Sequence, residues 1–252
     1  MTTTLTLTRL RDLRLSGMAQ ALDRQQQQVG TYDALPFMER LGLLVEQECL
    51  EREHRKQERL IHQARFKLRA TIQDIDYQHP RNIQQTQIAR LAQGDWIERA
   101  QNLLITGPCG SGKTYLACAV GHNACLQGFS VRYYRLSRLL LELTQAKADG
   151  SYQKLLAQIA KIQVLLIDDW GLETLTAAQR NDLMEIMDDR HGSKSTVMIS
   201  QLPTDQWYAA IGDNTLADAI LDRLMHNAHR LPLKGESMRK VREKLTDGEH
   251  LG

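Results

Sequence analysis

Asn102 to Leu126 reads NLLITGPCGSGKTYLACAVGHNACL, and few arrangements of a chain accommodate it. The apolar run NLLIT predicts a strand buried on both faces. GPCGSGKT then matches G-x-x-x-x-G-K-[ST], and an apolar helical segment follows from Lys113. Strand, glycine-rich loop and helix in this order form a cradle for phosphate. Gly107 and Gly112 let backbone N–H groups turn inward where side chains would obstruct them. Those amides and the positive end of the helix attract an anion. Lys113 reaches the terminal phosphates, and the Thr114 hydroxyl is placed for Mg²⁺. The expected contacts with ATP are Gly107, Pro108, Cys109, Gly110, Ser111, Gly112, Lys113 and Thr114; Cys109 is a variable position of the pattern, not a nucleophile.

A second stretch, VLLIDDWGL from Val164 to Leu172, supports this reading. An apolar run that ends in two adjacent carboxylates is costly to bury unless the charges are paired or bind metal. Taken alone, Asp168 and Asp169 fit an ordinary loop as well as a site. Beside a phosphate loop they take on roles: Asp168 as a Mg²⁺ ligand next to Thr114, and Asp169, pointing the other way, as the group that positions the attacking water.

From Asn102 onward, strand-like runs alternate with helical ones: NLLIT, a helix from Lys113, SVRYY, LSRLLLELTQA, VLLID, a helix from Ala177, then TVMIS. This predicts a parallel sheet covered by helices on both faces. Residues 1–70 predict a small all-helical domain. Leu7, Leu10, Leu13 and Leu15 mark a first helix that Gly17 would end. Gly30 to Asp33 reads as a turn. Asp33 would cap a long helix carrying the apolar stripe Phe37, Leu41, Leu44 and Val45. Residues 71–101, including DYQHPRN, read as a connection, and 102–252 as the nucleotide domain. Net charge is +2, so any nucleic-acid surface has to come from local clustering. No run is long and apolar enough for a membrane span, and MTTTLTLTRLRDLRL lacks the features of a secretory signal. Cys49, Cys109, Cys118 and Cys125 form no Cys-x-x-Cys pair, which predicts reduced, mostly buried thiols in a cytoplasmic protein without zinc.

GPCGSGKT, VLLIDDWG, TVMISQLP, LADAILDRL and KGESMR, in this order and spacing, resemble the IstB/DnaC group of AAA+ ATPases, and most closely the IstB-like transposition helpers of bacterial insertion sequences. The resemblance covers nearly the whole chain, including TLTRLRDLRLSGMAQAL. It implies an AAA+ P-loop fold with small C-terminal helical lid elements. Gln201, with Ser200 beside it, would be the polar sensor of the γ-phosphate. Arg223 would be the arginine finger offered to a neighbouring subunit, and Arg239 the second sensor from the subunit's own lid. A finger acting across subunits implies a homo-oligomer, as a ring or helix. The resemblance also implies duplex DNA and a transposase of the same element as partners, with ATP hydrolysed to ADP and phosphate.

Basic residues cluster at Arg9, Arg11 and Arg14, at Arg52 to Arg59, at Arg65 to Arg69, and around Tyr133 and Tyr134. Glu51, Glu53 and Glu58 intersperse the second group, which reads as a solvated helix face. In the resembled group a helical insertion after the second core strand lines the DNA channel. Arg135, Arg138 and Lys147 are therefore the candidates for phosphate-backbone contact, which carries little sequence preference and strong salt dependence. Three alternatives stay open: a DnaC-like helicase loader acting on single-stranded DNA, a small-molecule kinase, and a nucleotide-gated scaffold that does not hydrolyse ATP.

Overall fold

The computed structural model describes residues 3–235 and Ser237. Their contacts define two units, 1–59 and 60–252, divided between Arg59 and Leu60. Arg239 lies outside the described residues.

The first unit holds α1 (Thr3–Asp12), α2 (Ser16–Gln27), α3 (Val29–Tyr32) and the greater part of α4 (Phe37–Ala64). Gly17 does not end a helix as expected; it lies in the first turn of α2. The left-handed residue between α1 and α2 is Arg14, with φ 59°. Gly17 is needed for a different reason. A Cβ there would lie 2.6 Å from the Gln47 carbonyl oxygen and 2.7 Å from Glu48 Cα, so α2 and α4 meet backbone to backbone. At that crossing the Glu48 carboxylate, 5% exposed, accepts the Gly17 N–H at 2.8 Å and the Met18 N–H at 3.2 Å. A helix starts with unpaired N–H groups, and a distant carboxylate satisfies them here. Arg52 completes the arrangement at 2.7 Å. The apolar stripe expected to face a core is not what α4 buries: Phe37 is 68% and Val45 48% exposed. Small Ala19 and Ala21 are buried in α2, and α4 turns Glu48 inward. A stripe search weights large apolar residues and overlooks a crossing built on glycine, alanine and one carboxylate. The expected turn at Gly30 to Asp33 is largely α3, and Asp33 precedes α4 without capping it, lying 4.0 Å from Arg40.

The second unit continues with α5 (Gln85–Gln93), α6 (Asp95–Glu98), β1 (Asn102–Thr106), α7 (Lys113–Leu126), β2 (Val131–Arg135), α8 (Leu136–Asp149) and α9 (Tyr152–Lys161). It goes on through β3 (Val164–Trp170), α10 (Ala177–Arg190), β4 (Ser195–Ser200), α11 (Trp207–Ile211), α12 (Asn214–Met225) and β5 (Ala228–Pro232). The strands pair in parallel in the order β2-β3-β4-β1-β5. Side chains alternate across a strand. Leu103, Ile105, Leu166, Val197 and Ile199 accordingly join a cluster under α5, α6 and α7. Leu104, Leu165, Ile167 and Met198 join another under α8 to α12. Every expected strand is present. The added one, β5, buries only Leu231 well, as suits an edge strand, and its exposed His229 and Arg230 hide it from a search for apolar runs.

Residues 71–101 do more than connect. Ile75, Ile88, Leu91, Trp96 and Ile97 are buried in the first cluster, as are Leu60, Ala64 and Ala70, so the unit begins near residue 60, where 102 was expected. No helix among the described residues is long and apolar enough to cross a membrane. Cys118 and Cys125 are buried, whereas Cys49 and Cys109 are exposed, so only half of the thiols match the expected burial.

Glu48 gives the first unit a pH dependence. Burial raises the pKa of its carboxyl, but Arg52 and the Met18 and Gly17 amides outweigh that, and the net position is below the ordinary 4.5. A depressed carboxyl contributes stability above its unfolded value and loses it as pH falls through the folded one. Glu48→Gln is expected to lower the stability of this unit by about 1–2 kcal/mol at neutral pH. The deficit should shrink as pH falls below 4.5 in denaturation monitored by circular dichroism.

Candidate nucleotide site

The ends of β1, β3 and β4 open on one cavity of about 1080 Å³, a volume that includes space open to solvent. Cys109, Gly110, Gly112, Lys113 and Thr114 line it together with Asp168, Asp169, Ser200 and Gln201. Residues far apart in sequence and predicted as one site therefore meet in one place.

The phosphate loop has the backbone that its glycines predict. Gly107, Gly110 and Gly112 have φ of 145°, 82° and 91°, values that L side chains rarely adopt. A Cβ on Gly107 would also lie 2.6 Å from the Leu233 carbonyl oxygen. Gly112 precedes α7, which starts at Lys113, so the loop runs directly into a helix N-terminus. Lys113, 8% exposed, donates to the Gly107 and Pro108 carbonyl oxygens at 2.8 Å each. Burial pushes its ammonium pKa down, and Cys109, Asp168 and Asp169 partly offset this. Pro108 and Cys109 are exposed on the loop, and Ser111 is fully buried.

Asp168 sits deeper, 2% exposed. Its Oδ2 accepts the Thr114 hydroxyl at 2.8 Å and the Tyr133 phenol at 2.7 Å, and its Oδ1 accepts the Asp169 N–H at 2.8 Å. Lys67 Nζ lies 3.9 Å from Oδ2. The burial cost of the carboxylate is thus offset by several donors. Burial and the bond to Asp168 push the Tyr133 phenol pKa upward, so it stays a donor. The strands that carry the loop and Asp168 are not neighbours in the sheet: β4 lies between β1 and β3. Strands are spaced about 4.8 Å apart, so β1 and β3 are roughly 10 Å apart. The loop and the first turn of α7 span that gap and carry Thr114 to Asp168.

Asp169 breaks the regular alternation of β3. Its φ is 64°, and the β3–β4 register shifts between Ile167 and Trp170. A bulge of this kind re-aims a side chain. Asp169 Oδ2 accepts Arg135 Nε at 2.8 Å. Ser200 Oγ is used internally, donating to the Trp170 carbonyl oxygen at 2.7 Å and accepting the Leu202 N–H at 3.0 Å. Gln201 lines the cavity at the end of β4.

Arg223 is elsewhere. Its carbonyl oxygen accepts Asn102 Nδ2 at 3.0 Å, which places it at the start of β1, the strand's opposite end from the loop. A strand rises about 3.3 Å per residue, so the length of β1 separates them by roughly 16 Å. Its guanidinium meets Asp188 at 2.8 Å and lines a separate cavity with Arg99, Lys194 and His226. Arg135 and Arg138 are exposed at β2 and the start of α8, but Lys147 is bound to Asp182 with its ammonium 4.8 Å from the Tyr152 ring centre. The helices α8 and α9 fill the expected insertion between β2 and β3.

Sequence reading missed Tyr133, Lys67 and Arg81. Tyr133 was legible in part, since it shares the Val131 face of β2 and pairs in register with Leu166, close to Asp168. Lys67 and Arg81 come from segments with no pattern of their own.

The oxygen pair Thr114 and Asp168 suits a hard divalent cation, which prefers a few protein oxygens and completes its shell with phosphate and water. Parallel sheet, phosphate loop and Asp168 define an AAA+ P-loop nucleotide-binding protein. The family model described as IstB-like ATP binding protein matches residues 8–246, and the chain belongs to that family. It is 44% identical to an insertion-sequence ATP-binding protein, y4pL, of Sinorhizobium fredii over 93% of this chain and 96% of that one. It is 48% identical to the ATP-binding protein of insertion sequence IS1162 of Pseudomonas fluorescens, over 79% and 86%. The DnaC helicase loader structure superposes with a TM-score of 0.53 at 22% identity, over 66% of this chain and 97% of that one, a likeness of fold.

Lys113→Ala should weaken ATP binding roughly ten- to a hundredfold, because a charge-assisted hydrogen bond contributes about 1.5–3 kcal/mol. Titration with a fluorescent ATP analogue measures this, and unchanged affinity would place the nucleotide elsewhere.

Proposed function

We propose that this chain is an ATP-dependent, DNA-binding transposition helper. It oligomerises on duplex target DNA, recruits and activates a transposase of the same element, and hydrolyses ATP to ADP and phosphate. The observation that carries the ATPase part is the Thr114–Asp168 contact at 2.8 Å beside Lys113. The insertion-sequence relatives support the transposition part.

In this reading the loop amides and Lys113 hold the phosphates. Thr114 and Asp168 hold Mg²⁺, which when bound offsets charge on the phosphates. Asp169 orients the attacking water, and Gln201, at the end of β4, senses the γ-phosphate. Arg223 acts on the neighbouring subunit's nucleotide. Its position across the sheet from its own loop, in a cavity with other cations, supports a role in trans. Arg239 completes the assignment as the sensor of the subunit's own lid. DNA contact falls to Arg135 and Arg138. Lys147, already bound to Asp182, has the weaker claim of the three candidates. Duplex phosphate competing for Arg135 would release Asp169, so DNA binding and water positioning share one arginine.

Asp is shorter than the Glu often found at the second acid position, so turnover is expected below the enzyme median of about 10 s⁻¹. Arg223→Ala should leave ATP binding nearly intact and slow DNA-stimulated hydrolysis by about 10³-fold or more. A phosphate-release assay with duplex DNA checks both, and unchanged hydrolysis would remove Arg223 from the site.

Duplex affinity should fall steeply as salt rises, because neutralising phosphates releases counterions. Electron micrographs of the protein with duplex DNA and a non-hydrolysable ATP analogue test the assembly. DNA-bound oligomers with nucleotide between subunits are expected. A strict monomer would sink the reading, and preference for single strands with capture of a replicative helicase would favour a helicase loader.

A further inference from the structure

Arg81 lies in DYQHPRN, away from every motif, yet it is only 6% exposed and lines the nucleotide cavity. Its Nη1 donates to the Ser111 carbonyl oxygen at 3.3 Å, and its Nη2 donates to the Asp76 carbonyl oxygen. Its buried Nε has no hydrogen-bond partner among the described residues. Among the described residues no carboxylate stands within ion-pair distance of it; the Asp76 carboxylate is engaged by His79 at 2.8 Å. Burial lowers its pKa, which nearby Asp76 and Tyr115 partly offset, but a guanidinium in a protein stays charged. A desolvated cation held only by carbonyl dipoles lacks a counter-charge.

Lys113 is in the same condition, held by two carbonyl oxygens in the same cavity. Lys67, by contrast, has Asp168. A polyanion entering the cavity would supply what Arg81 and Lys113 both lack. Arg81 also shapes the loop. By holding the Ser111 carbonyl it fixes the peptide just before Gly112, and its Nη1 lies 2.7 Å from where a Cβ on Gly112 would be. Its own carbonyl accepts the Lys234 N–H at 3.0 Å, and Pro80 O lies 2.8 Å from the Cβ position of Gly235. The Arg81 loop is therefore clamped between the phosphate loop and the chain leaving β5.

We propose that Arg81 is a second fixed cation of the nucleotide site, a positioning residue that holds the phosphate loop in its anion-accepting shape and adds its charge to the field at the bound phosphates. This rests on the phosphate loop being the nucleotide site. The forked guanidinium reaches the Ser111 and Asp76 carbonyl oxygens, on separate segments, through two different nitrogens, whereas a lysine offers a single nitrogen.

The test uses the full chain as wild type, Arg81→Met, Arg81→Lys and Lys113→Ala, each titrated with fluorescent ADP and ATP, with folding followed by circular dichroism. Both Arg81 variants are expected to bind ADP about tenfold or more weakly than wild type. Added guanidinium ion at non-denaturing concentration should restore part of the affinity of Arg81→Met and none of that of Lys113→Ala. Should Arg81→Met fail to fold, Arg81→Lys, which keeps length and charge, carries the comparison. ADP affinity within about twofold of wild type in a folded Arg81 variant overturns the proposal. So does a loss in Arg81→Met that guanidinium does not relieve. If Lys113→Ala loses ADP while Arg81 variants keep it, only Arg81 is misassigned. If wild type binds no nucleotide, the reading of the whole site fails.

Discussion

The contact between Thr114 and Asp168 is the one on which the site depends. It joins the start of a helix to the end of a strand two places away in the sheet. Parallel pairing makes it attainable, because every strand then ends at the same edge and the loops that follow share one crevice. The crossover that begins with α7 bridges the intervening β4. A carboxylate buried to 2% exposure is tolerable there because hydroxyls from two directions and a backbone amide face it. Each of those donors belongs to a different element, so the charge is stable only when the sheet, α7 and β2 are all in place.

Charge in the cavity is arranged unevenly, and the unevenness suits a polyanion with a metal ion. On the β3 side, acids are oversupplied with donors: Asp168 has Thr114 and Tyr133, and Asp169 has Arg135. On the loop side, Lys113 and Arg81 have carbonyl oxygens and, among the described residues, no acid. Among the described residues no acid pairs with either cation, and burial weakens their hold on the proton. A fold that leaves two desolvated cations beside a glycine-rich loop at a helix N-terminus has stored an attraction for phosphate, at some cost to its own stability. At the other end of β1, Arg223, paired with Asp188, lies with Arg99 and Lys194 in a second cavity. The glycine-rich loop and this group of cations thus lie at opposite ends of β1.

Local sequence carried the phosphate loop because its glycines, lysine and threonine have fixed offsets that depend only on backbone geometry. Asp168 and Asp169 were legible as a pair, but Asp169's left-handed backbone and its bond to Arg135 were not, since both arise from a register shift against β4. Gly17 was recognised as special for the wrong reason: its positive-φ capability was expected to matter, and its missing side chain does. The segment 71–101 looked like a connection because its apolar residues are sparse, yet Ile75, Ile88, Leu91, Trp96 and Ile97 are buried in one cluster with residues of α7 and the sheet.

What the sequence by itself determined is whatever depends on neighbours in the chain: the order of strands and helices, the phosphate cradle, and the strand that ends in acids. The tertiary structure alone decided which distant side chains complete those parts. Tyr133 reaches Asp168 because β2 pairs with β3, Arg81 reaches Ser111 because its loop packs on the end of the sheet, and Lys147 is bound to Asp182 because α8 lies near α10. The reason is physical: periodicity and turn chemistry act over a few residues, whereas desolvation and charge pairing act through space between segments that nothing in the local pattern links.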